Sequence, residues 1–85
     1  GEEGSQYAAS LLADDLNFIP FDTLDKPLQV QAKVRYQARP ADAVLTPVDG
    51  GRVRVDFAEP QRSVTPGQAV VFYDGDLVVG GGVIL

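Results

Sequence analysis

The sequence of 85 residues contains no cysteine, histidine, methionine or tryptophan. Each absence removes a class of chemistry. Without cysteine there is no disulfide, no thiolate nucleophile and no zinc–sulfur site. Without histidine the commonest general base and the commonest metal ligand are missing. Ser10 and Ser63 therefore have no imidazole to activate them, which excludes a serine triad. The lack of disulfides fits a reducing, cytoplasmic setting. No apolar run approaches the roughly 20 residues of a membrane-spanning helix. The opening GEEGSQ has neither the basic start nor the apolar segment of a signal peptide. With no methionine at position 1 or elsewhere, the sequence reads as a fragment of a longer chain.

What is present belongs to an ordinary globular domain, 45% apolar and 22% charged. Its length suits a single domain spanning 1–85, which hides about 60–65% of the surface its unfolded chain exposes. The net charge of −5 argues against a simple nucleic-acid binder. Its distribution argues differently. Residues 1–25 hold six acids and no base, whereas residues 26–62 hold all seven bases (Lys26, Lys33, Arg35, Arg39, Arg52, Arg54, Arg62) against four acids.

Periodicity predicts strands and no amphipathic helix. Residues 5–12, SQYAASLL, read as a first strand, and Leu16–Ile19 as a short strand or one irregular turn. In LQVQAKVRYQ, residues 28–37, Val30, Ala32, Val34 and Tyr36 alternate strictly with polar neighbours, the mark of a strand with one buried and one wet face. DAVLTPV, residues 42–48, predicts a further strand in which Pro47 marks an edge or a bulge. Asp49-Gly50-Gly51 signals a hairpin into RVRVDF, residues 52–57, with Val53, Val55 and Phe57 inward. Glu59-Pro60 is expected to end that strand. Thr65-Pro66-Gly67-Gln68 suits a type II turn, with proline at the first central position and glycine accepting positive φ at the second. AVVFY follows as a mostly buried strand, and Asp74-Gly75 turns it into LVVGGGVIL. Six or seven short strands at this spacing imply an all-β fold. A small, closed or partly open barrel of mostly antiparallel strands is the expected form, because closure leaves no exposed edge.

Most candidate chemical motifs have a plainer reading. Gly80-Gly81-Gly82 lacks the following helix and the lysine of a phosphate loop, so a strand kink or close backbone packing is expected. Asp14-Asp15 and Asp74-Gly75-Asp76 lack the ligand spacing of a calcium loop and read as turns. Tyr7, Tyr36 and Tyr73 read as core or interface residues. The wet face around Lys33, Arg35, Arg52 and Arg54 is the one serious functional surface. Two basic strands there, with Tyr36 and Gln37 close by, would follow a phosphate backbone. The alternative is a mixed-charge, solvated sheet face, since Asp56 shares it.

Three stretches carry a family resemblance: LNFI (16–19), QAKVRY (31–36) and, above all, EPQRSVTPGQAVVFYDGDLVVGGGVIL (59–85). Together they resemble the C-terminal domain of the bacterial tRNA-specific 2-thiouridylases, or tRNA-uridine 2-sulfurtransferases, formerly called methylaminomethyl-2-thiouridylate methyltransferases. The resemblance runs from about Ser10 to Leu85. It implies a parent transferase whose N-terminal ATP-pyrophosphatase-type domain adenylates the wobble uridine of certain tRNAs, and whose cysteines deliver sulfur to carbon 2. The nucleotide loop and both cysteines are absent from this sequence. The resemblance thus implies a non-catalytic barrel with no cofactor or metal of its own, ATP belonging to the parent. Its partners would be the tRNA anticodon arm and its own N-terminal catalytic domain, with a sulfur-donor protein for the parent and no membrane.

Carried over by position, Arg35 and Tyr36 of KVRY match a tRNA-contacting pair in that family, and Gln68 of TPGQ matches a further contact. Lys33 joins them from the wet face. Arg35 lies on that face, where its guanidinium can pair with phosphate. Tyr36 has inward parity, so its ring is expected to be mainly structural. Departures from the family are Phe18 where tryptophan is common, no cysteine in DAVLTPV, and Gln37-Ala38 where more basic or polar residues stand. A second reading makes the barrel a structural or protein-interaction module bracing the catalytic domain. A third, a translation-factor-like barrel, requires a GTP-binding domain upstream.

Overall fold

In the computed structural model, residues 7–34, 40–62 and 66–85 are described. Their strands are β1 (Tyr7–Phe18), β2 (Leu28–Val34), β3 (Ala41–Val48), β4 (Arg52–Arg62), β5 (Ala69–Asp74) and β6 (Leu77–Ile84). They form one closed barrel in the order β1-β4-β3-β2-β5-β6, with every neighbouring pair antiparallel. Closure satisfies the edge groups that a small open sheet would leave exposed.

The inward parity of the sequence becomes the core. Val30, Ala32 and Val34 of β2, Val53, Val55 and Phe57 of β4, and Val70 and Phe72 of β5 are all buried. Phe72 anchors the interior and lies 6.4 Å, ring to ring, from Phe18, which itself sits 4.9 Å from Phe21. Phe21 and Leu24, from the connection between β1 and β2, pack onto this core. AVVFY is half as buried as its composition suggests: Val71 and Tyr73 point outward and are only half-buried.

Three local expectations need correction. Asp14-Asp15 is not a turn between two strands. It is a β-bulge inside one strand of 12 residues, where pairing with β6 slips between Asp14 and Asn17. Asp15 takes φ 53°, a left-handed conformation that aspartate tolerates better than most residues, and its N–H donates to Asp14 Oδ1 at 2.7 Å. Nor does Glu59-Pro60 end β4, which runs on to Arg62. Ser10 faces Asp56 while Ala8 faces Gln61, so two steps along β1 match five along β4. The irregular stretch removes Pro60 from the regular ladder, and the missing N–H costs no pairing. Finally, the loop of the last hairpin is Gly75-Asp76, since Asp74 pairs with Leu77. Gly75, at φ 63°, occupies the first central position as a type II′ turn requires.

Other readings hold. Pro47 lies past Leu45, the last residue of β3 paired with β2, so β3 is locally an edge there. The triple glycine is a packing device: a Cβ at Gly80 would collide with the Asn17 carbonyl oxygen, one at Gly81 would lie 2.8 Å from the Val70 carbonyl oxygen, and one at Gly82 would meet Leu16 Cδ2 at 2.6 Å. β6 therefore closes the barrel by approaching β1 and β5 more nearly than any side chain allows.

Candidate nucleic-acid interface

Strand register decides which of the sequence-selected residues meet. Val34 faces Val70 and Lys33 faces Val71 across the β2–β5 ladder. Gln68 stands three residues before Val71, so it lies about 10 Å along β5 from the level of Lys33 at roughly 3.3 Å per residue. Lys33 and Gln68 thus share one end of the barrel, where the chain leaves β2. Arg35 and Tyr36 follow Val34 in sequence and lie outside the described residues.

Arg52 and Arg54 do not join this group. β3 separates their strand from β2. Ala32 faces Ala41 while Arg54 faces Thr46, which places Lys33 and Arg54 six residues apart along β3, roughly 20 Å. The single basic face expected from two alternating strands is therefore two separate regions. Arg54 is also engaged, its Nε donating to Asp56 Oδ2 at 2.9 Å. Both side chains are about half exposed, so the pair adds little to stability, but it cancels the positive charge locally. The mixed-charge alternative describes the β4 face correctly.

Gln68 is positioned by its turn. Gly67, at φ 90°, gives the left-handed second position of the Pro66-Gly67 turn. The turn is fastened to the end of β6: Gly67 N–H donates to the Ile84 carbonyl at 2.7 Å, and Ile84 N–H donates to the Gln68 carbonyl at 2.9 Å. The side chain so held has a buried Oε1 with no hydrogen-bond partner among the described residues. A buried acceptor left without a donor costs about 1–3 kcal/mol. The family resemblance singled out this residue, but nothing in the sequence shows the oxygen's burial, because burial arises from the fold.

Sequence reasoning missed Gln31. It points outward beside Tyr73, and its Oε1 accepts from Gly75 N–H at 3.0 Å, tying β2 to the β5–β6 hairpin. Its place in a polar–apolar alternation shows which way it faces but nothing about a partner 44 residues away. Among the described residues no group of three or more acids, histidines or cysteines is arranged to hold a metal ion, and no helix is long and apolar enough to cross a membrane.

Comparison with known proteins adds a family to this geometry. The family described as the aminomethyltransferase beta-barrel domain matches residues 8–84. Over 84 residues the chain is 60% identical to a tRNA-specific 2-thiouridylase of Acetivibrio thermocellus, covering 99% of this chain and 23% of that protein. It is 56% identical over 84 residues to one of Clostridium beijerinckii (99% and 24%) and 55% identical over 84 residues to one of Caldicellulosiruptor saccharolyticus (99% and 23%). The chain thus spans about a quarter of the length of these curated relatives.

Proposed function

Because the chain belongs to the aminomethyltransferase beta-barrel domain family, we propose that it is the RNA-positioning barrel of a tRNA 2-thiouridylase, and that it holds the tRNA anticodon arm while chemistry proceeds elsewhere in the polypeptide. The observation that carries this reading is Gln68: an acceptor held by a fastened turn, buried and without a donor among the described residues, at the end of the barrel that also presents Lys33. RNA supplies what is missing. Once the Gln68 side chain turns outward, a ribose 2′-hydroxyl or a base amino group donates to its oxygen, and a phosphate takes the lysine. The sequence adds charge on the same side, since Lys33 to Arg39 contains three bases and no acid. In this reading Arg35 pairs with phosphate and Tyr36 contributes its hydroxyl or backbone. The parent enzyme consumes ATP and works in the cytoplasm. The barrel itself performs no step of the reaction.

Chemical-shift mapping of the 85-residue chain with a tRNA anticodon stem-loop tests this. Perturbations gathered at Lys33–Tyr36 and Gln68 are expected. Perturbations centred on Arg52 and Arg54, or none with any RNA, would overturn it.

A further inference from the structure

The outer wall made by β5 and β6 differs from the rest of the barrel. Inward parity belongs to Val70 and Phe72, so Val71 and Tyr73 face out, and their pairing with Gly81 and Val78 puts those residues on the same outer surface. Val83, opposite Ala69, continues it. Neither Ala69–Tyr73 nor Leu77–Ile84 contains a charged residue. At one end the wall becomes openly apolar. Ile19, whose N–H donates to the Val79 carbonyl at 2.8 Å, is 71% exposed, Leu77 is 65% exposed and Val78 is 40% exposed. Contiguous exposed apolar surface rimmed by polar groups marks an interface. The rim is acidic on the β1 side and at the hairpin, and carries Gln31 and Lys33 on the β2 side. Asp14 faces Val83 across the β1–β6 ladder, and Asp74 and Asp76 flank the hairpin beside Leu77.

We infer that this wall is a protein-docking surface, and that its occupant is the part of the 2-thiouridylase polypeptide lying outside the 84 matched residues, presenting an apolar patch bordered by bases. Two observations choose this occupant. Acids border the openly apolar end, at Asp74 and Asp76, and the β1 side, at Asp14; they repel phosphate there, which sets this part of the wall against RNA and in favour of a basic-rimmed protein surface. The relatives that match 99% of this chain are about four times its length, so most of such a polypeptide is left to cover it. The wall meets the proposed RNA end at the Lys33–Val71 pair, so a protein seated on it lies alongside the bound anticodon arm. This placement rests on the family and not on the RNA reading of Gln68.

The absence of cysteine provides the test, because an introduced thiol is unique in the chain. Val78→Cys and Leu77→Cys are compared with Arg54→Cys for maleimide labelling. Each is measured in the 85-residue chain and in a full-length chimera, with this sequence replacing the matched segment of the Acetivibrio thermocellus relative and labelled peptides identified by mass. In the isolated chain all three thiols are expected to react freely. In the chimera the thiols at 77 and 78 slow tenfold or more, and the one at 54 is unchanged. Equal labelling of 78 in both contexts overturns the inference. So does protection of the isolated chain that grows with its concentration, which makes a second copy the occupant, or protection appearing only when tRNA is added.

Discussion

β2 and β4 have the same sequence pattern and different surroundings. Both alternate apolar with polar residues, both bury three successive inward apolar residues, and both carry bases outward. On β4 the base is spent: Arg54 donates to Asp56 two residues away, on a face shared with the acids and bases of a mixed surface. On β2 the base stands at the strand's exit, across the β5 ladder from Val71 and at the end where Gln68 has a buried acceptor with no donor among the described residues. Alternation reports which way a side chain points. It is silent on which strands are neighbours and on height along the barrel, and those two quantities separate the base on β2 from those on β4.

The largest effect erases the comparison altogether. Phe72→Ala removes the aromatic on which both ends rest, and a loss of about 3–5 kcal/mol is expected in denaturant unfolding. A single cooperative transition would show that the two ends share one core, whereas two transitions would mean that they are independent. Gly81→Ala acts more locally, because its Cβ would press on the Val70 carbonyl oxygen, and Val70 supports Val34 at the end of β2. A cost of about 1–3 kcal/mol follows, and amide exchange is expected to quicken at Val34 and Val70 before it does at Arg54.

Gln68→Leu sharpens the contrast with opposite signs. Removing an orphaned buried acceptor is expected to raise stability by about 1 kcal/mol, while RNA affinity falls. A mutation that loses both stability and affinity would make Gln68 a structural residue.

Much of the barrel was legible beforehand. The inward sets Val30-Ala32-Val34 and Val53-Val55-Phe57, and the glycines at 67 and 75, follow from side-chain period and from the need for positive φ. The bulge at Asp15 and the passage of β4 through Pro60 were not, because each depends on a partner strand distant in sequence absorbing extra residues. The split of the basic face was hidden for the same reason: β2 and β4 are related only through β3. Of the candidate site, the residue types were visible in the sequence and the grouping of Lys33 with Gln68 was not.

The central claim is that the base on β2 serves RNA and the bases on β4 do not. Salt-dependent binding of a tRNA anticodon stem-loop by Lys33→Ala and Arg54→Ala tests it most directly. Lys33→Ala is expected to weaken binding and reduce the magnitude of the slope of log K against log salt by about one unit, with Arg54→Ala indistinguishable from the parent chain. Equal losses for the two variants, or a loss with Arg54→Ala alone, would contradict it.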